Sequence, residues 1–85
     1  MGTTVRQLFN GELAGHGEID CDTVADAIVC ASELRSAGDG WGVEIRTDAA
    51  QDVAALVEAG TLDRLPHLWP GAHQTRDGIQ LTVES

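Results

Sequence analysis

His16, Glu18, Asp20, Cys21 and Asp22 place four kinds of metal-ligating side chain within seven residues. A metal centre needs several such groups converging on one ion, with ligand softness matched to it. The segment fits neither a calcium loop nor a CxxC or HxxxH pair, so it reads as a polar approach to a capped helix. Cys30 invites a second chemistry, nucleophilic attack with His16, His67 or His73 as base. That needs a depressed thiol pKa and a positioned partner. Cys30 instead falls on the flank of an apolar helical stripe near Leu34, where a small buried cysteine serves packing.

Cys21 stands near the start of the same helix, between Asp20 and Asp22, whose charges disfavour a thiolate. With the helix beginning near Asp22, a rise of 1.5 Å per residue puts the two cysteines about 12 Å apart. A disulfide spans Cα atoms up to about 7 Å apart, so no internal bridge is expected. Gly38, Gly40 and Gly42 spell GxGxG, but they precede a strand, whereas phosphate loops follow a strand and open a helix. The sequence therefore predicts no metal, no cofactor and no catalytic set.

Charge narrows the partners. Fourteen carboxylates face five basic residues, all of them arginine, for a net charge of −9. Residues 1–42 carry seven acids and two arginines, residues 43–85 seven and three, so the acid is not a tail. An evenly acidic surface repels phosphate, and direct nucleic-acid binding is not expected. No apolar run approaches the roughly 20 residues that span a bilayer, and the first residues lack the basic and apolar regions of a signal peptide. A cytoplasmic protein is the expectation. The missing lysine, beside many Ala, Gly, Asp and Val, fits the codon bias of a GC-rich prokaryote or its phage.

Eighty-five residues with 42% hydrophobic content form one domain, 1–85, with a modest core. A homodimer would add buried area. Thr4-Val5-Arg6-Gln7 has capping-box form, and Val5, Leu8 and Phe9 follow at helical spacing, so a helix is expected over about 4–10. A hairpin turning at Asn10-Gly11 is the rival, set aside because alternation on either side is poor. Residues 11–20, with three glycines and no period, read as a loop.

Asp22 or Thr23 caps a helix over 22–37, striped by Val24, Ala27, Ile28, Ala31 and Leu34. Val29 stands opposite that stripe and hints at a second buried surface. Trp41, Val43, Ile45 and Thr47 alternate as a strand over 41–47 with Glu44 and Arg46 on its wet face. Helix 48–59 follows, lined by Ala49, Val53, Leu56 and Val57. From Thr61 to residue 72, Pro66 forbids a regular helix, so a helical turn or short helix, or an extended connection, is expected, with a turn at Trp69-Pro70-Gly71. Residues 73–84 form a hairpin at Asp77-Gly78, with Ile79, Leu81 and Val83 facing the core.

The order α-α-β-α-(short α or turn)-β-β predicts an α+β domain with helices on one face of a small, mainly antiparallel sheet. A winged helix is the alternative. By elimination the expected function is protein binding, as an adaptor, inhibitor or assembly subunit with an acidic face for a basic partner. An acidic decoy of a nucleic-acid-binding protein, as in phage counter-defence, is a special case. A small enzyme using Cys or His is the alternative. The expected contact residues are Asp20, Asp22, Asp26, Val29 and Trp69, the last as an aromatic anchor in a Pro-Gly turn.

Excess carboxylates repel one another, so screening should stabilise the fold. The melting temperature is expected to rise as salt goes from about 10 mM, where the Debye length is near 30 Å, to about 150 mM. A steady fall over that range would contradict it.

Overall fold

The chain opens as a strand. In the computed structural model, which describes residues 2–35, 38–65, 67–68 and 71–84, β1 (Thr3–Phe9) runs into Asn10-Gly11 and returns as β2 (Glu12–Cys21). Asn10 at φ 52° and Gly11 at φ 86° give both central residues the left-handed conformation of a type I′ turn. The rival hairpin is thus the structure adopted, and the helix expected over 4–10 is corrected. Thr3, Val5 and Gln7 point to the buried side, while Leu8 is only half-buried and Phe9 is exposed. Val5, Leu8 and Phe9 match helical spacing, but the β-branched run Thr3-Thr4-Val5 favours an extended backbone.

The loop expected over 11–20 is a strand as well. Its period is hidden by a bulge: Arg6 pairs with Glu18 and Leu8 with Leu13, so Ala14 to Gly17 stand opposite Gln7 alone. Gln7, 4% exposed, fills the gap, and its side-chain oxygen accepts the His16 backbone N–H at 2.9 Å. Gly15 makes that approach possible. Its φ is +62°, and a Cβ there would collide with the Gln7 side-chain oxygen and lie 2.9 Å from the Trp41 ring.

After Cys21 the chain turns through Asp22 and Thr23 into α1 (Val24–Leu34). Thr23 caps it, its hydroxyl accepting the Asp26 N–H at 3.1 Å. The helix expected over 22–37 is thereby shortened, with Ser36 and Ala37 outside the described residues. It buries Val24, Ala27 and Ala31 as the stripe requires, with Ile28 and Leu34 partly buried. Strand β3 (Trp41–Thr47) occupies its expected span.

Helix α2 (Ala50–Glu58) starts without a side-chain cap. Its end is a Schellman arrangement: Gly60 at φ +81°, Thr61 N–H to Leu56 O at 2.9 Å, and Gly60 N–H to Val57 O at 3.1 Å. Residues 62–64 form β4 (Leu62–Arg64), the extended of the two expected forms and not the helical turn, and Leu62 is buried.

The terminal hairpin joins β5 (Ala72–Thr75) to β6 (Gln80–Val83). Asp77 does not take positive φ. Instead Gly78 N–H bonds Thr75 O at 3.0 Å and Gly78 alone is left-handed at φ +90°, a three-residue loop. The Asp77 carboxylate, held below its usual pKa chiefly by the Thr75 hydroxyl 2.6 Å away, braces the turn.

The six strands lie in the order β2-β1-β3-β6-β5-β4, antiparallel except for the parallel pair β3–β6. Register aligns Ile19, Val5, Ile45, Leu81 and His73 in one row across β2, β1, β3, β6 and β5. Val5, Ile45 and Leu81 share one buried cluster with Val24, Ala27 and Ala31 of α1 and Val53 of α2, so both helices cover the same face. The α+β class holds, with the order β-β-α-β-α-β-β-β. Two leading strands and two described helices do not form a winged helix.

Gly15→Ala combines a left-handed backbone with a steric clash, so it should destabilise the domain by about 2–4 kcal/mol. Gly17, also left-handed at φ +65°, has open space where a Cβ would go. Gly17→Ala should therefore cost only about 1–2 kcal/mol of backbone strain. Urea unfolding of the two variants measures the difference, and equal losses would mean that Gln7 and Trp41 do not close on Gly15.

Candidate functional site

Strand alternation decides the fate of the ligand-rich segment 16–22. Glu18 and Asp20 pair with Arg6 and Thr4 on the side away from the helices, while Ile19 and Cys21 pair with Val5 and Thr3 on the helix side. His16 is lifted out by the bulge and exposed. Among the described residues no three metal-ligating side chains converge. The proposed histidine bases are equally scattered. His67 is exposed in a turn, and His73 lies on β5, with β1, β3 and β6 between it and β2.

The two cysteines are both free and half-buried, but they are not far apart. Burial, and then the nearby Cys30, raise the pKa of the Cys21 thiol. The expected separation of about 12 Å assumed one continuous helix. Cys21 instead ends a strand, and the reversal at Asp22-Thr23 lays α1 back over it.

The open side of the sheet is polar. Glu18, Arg6, Glu44, Gln80, Gln74 and Asp63 form one register row across all six strands. Arg6 bridges Glu18 at 3.3 Å and Glu44 at 2.6 Å, while Arg46 bridges Glu44 at 3.2 Å and Glu84 at 3.7 Å. Arg6 and Glu44 are half-buried, whereas an exposed pair such as Arg46–Glu84 contributes at most about 1 kcal/mol. A groove of about 800 Å³ runs along this region, with Asp20, Asp22, Glu18 and Asp48 among its acidic lining and Arg6 and Arg46 as its cations.

The expected contact residues separate into two places. Asp20 and Asp22 line the groove, and Asp22 leads into α1. Asp26 and Val29 lie on the outer surface of that helix, both exposed, with Glu33 one turn further on. Val29 is 60% exposed, which corrects the second buried surface inferred for it. Trp69 lies outside the described residues.

Sequence reasoning missed the hairpin tip. Phe9, 41% exposed, meets Trp41 with ring centroids 4.9 Å apart, and Leu13, 48% exposed, stands beyond the turn. Trp41, on the dry face of its strand by alternation, is only half-buried and packs over Gly15. Reading Asn10-Gly11 as a turn would have brought Phe9 and Leu13 to one tip.

No protein-family model, no curated protein and no solved structure matches this chain.

His73 is the one described histidine that is buried, at 8% exposure, and its Nδ1 has no hydrogen-bond partner among the described residues. Burial, and then the charge of neighbouring Arg64, lower its pKa. An unfolded histidine titrates near pH 6.5, so between that value and the lower folded one the unfolded chain binds more protons. Stability should fall as pH drops through about 6.5 and level off below the folded pKa. His73→Gln should flatten that slope in urea midpoints measured between pH 7.5 and 5.5. An unchanged slope would remove His73 as its source.

Proposed function

We propose that this chain is a protein-binding module that meets a basic partner through the outer surface of α1 and catalyses no reaction. Val29 carries the reading. It is a large apolar side chain left 60% exposed, on a helix whose outer surface also bears Asp26 and Glu33, with Asp22 just ahead. Covering it would add about 1 kcal/mol, a modest apolar contact within an acidic surround. The carboxylates supply the long-range part, since a net charge of −9 draws a basic surface in and raises the association rate. The Phe9–Trp41 pair offers a second apolar contact, of the aromatic type that dominates binding energy at interfaces.

The roles that suit this arrangement are adaptor, inhibitor or assembly subunit. An acidic decoy of the counter-defence kind fits directly, because charges that repel nucleic acid suit the groove that binds it. The polar open face of the sheet offers little apolar area for a homodimer, which favours a different protein as partner.

The test places a photo-crosslinking residue at Val29 and, as control, at exposed Ala54 of α2 in the native cells. Position 29 should give one discrete adduct with a protein of basic surface, and position 54 should not. Asp22→Arg with Asp26→Arg should abolish the adduct and slow association of the purified pair roughly tenfold at low salt. An adduct indifferent to charge reversal, or crosslinking from position 54 alone, would contradict the assignment.

A further inference from the structure

We propose that Cys21 and Cys30 form a reversible intramolecular disulfide by exchange with low-molecular-weight disulfides, clamping the first two turns of α1 to the end of β2. Cys21 is the last residue of β2 and pairs with Thr3, whose hydroxyl is buried 2.8 Å from that of Thr47. That places Cys21 on the side the helices cover. The chain reverses at Asp22-Thr23 and α1 packs back across β1, β2 and β3. Cys21 and Cys30 are both half-buried and both packed on the same core cluster. Cys30 is also the strongest titratable influence on the Cys21 thiol, ahead of Asp26 and Asp20 and second only to burial. With two cysteines in the chain, one internal pairing exists.

The chemistry balances without a metal or cofactor. One protein thiolate attacks a sulfur of the small disulfide, forming a mixed disulfide and expelling one thiolate. The second protein thiolate then attacks the protein sulfur of that mixed disulfide, closing Cys21–Cys30 and expelling the other small thiolate. Two protons and two electrons leave the protein, and two small thiols are produced. Burial first, then Cys30, Asp26 and Asp20, hold the Cys21 thiol above its ordinary pKa. Its thiolate is therefore scarce at neutral pH, and the bridge should close over minutes to hours. The loop it closes, residues 21–30, carries Asp22, Asp26 and Val29. The oxidised state would hold the start of α1 rigid whether or not that surface binds a partner.

The experiment incubates the folded full chain with oxidised glutathione and follows intact mass and free thiols. Both thiols should disappear together with a loss of about 2 Da, the two hydrogens removed by a two-electron oxidation, and dithiothreitol should restore them. Cys21→Ser and Cys30→Ser should each accumulate a single glutathione adduct, because the second thiol is missing. Persistent glutathione adducts on the unaltered chain, disulfide-linked dimers, or two thiols unchanged after many hours would each overturn the proposal.

Discussion

One row of side chains holds this molecule together. Ile19, Val5, Ile45 and Leu81 stand in register across β2, β1, β3 and β6, and Val5, Ile45 and Leu81 are fully buried. Each buried aliphatic chain of that size contributes about 1.5–3 kcal/mol. A domain of this length has little else to draw on. The row exists only if β1 is an inner strand paired on both sides, which in turn requires the tight Asn10-Gly11 return to β2. Helices α1 and α2 then cover the row with small residues, Ala27 and Ala31 among them, which lets α1 approach the sheet closely.

The two faces of the sheet follow from the same register. Period-two alternation that turns Val5 and Ile45 inward must turn Arg6, Glu44 and Arg46 outward. The outward row from Glu18 through Arg6 and Glu44 to Asp63 is polar from edge to edge and tied by arginine–carboxylate pairs, so the middle of that face is at home in water. Exposed apolar side chains therefore concentrate elsewhere, at the hairpin tip and on the outside of α1. His73, at the far end of the buried row beside Arg64, is where the apolar face gives way to charge.

Much of the middle of the fold was legible in the sequence. Trp41 to Thr47 alternates cleanly, the stripe Val24–Ala27–Ala31 is helical and nothing else, and Ile79, Leu81 and Val83 face inward as read. The N-terminal hairpin was not, for three physical reasons. The buried face of β1 carries Thr3 and Gln7, polar groups satisfied by the Thr47 hydroxyl and the His16 amide, so alternation of hydropathy vanished. Leu8 sits on the opposite face, which made Val5, Leu8 and Phe9 resemble a helical stripe. The bulge at Ala14 to Gly17 broke the period of β2. The nearness of Cys21 to Cys30 was hidden in the same way, since it depends on β2 being a strand. On the surface, helical spacing alone put Val29 off the buried stripe of α1 but not whether a neighbour covered it, whereas Phe9 and Leu13 could be placed only once the turn between them was known.

Hydrogen exchange tests the inner position of β1 most directly. Its amides alternate between partners on β2 and β3, so those of Thr4 to Leu8 should exchange about as slowly as the centre of β3, near the rate set by global unfolding. Amides of the edge strand β2 should alternate between protected and fast. Fast exchange throughout Thr4 to Leu8, with the short-range amide contacts of a helix over those residues, would contradict the account at its foundation.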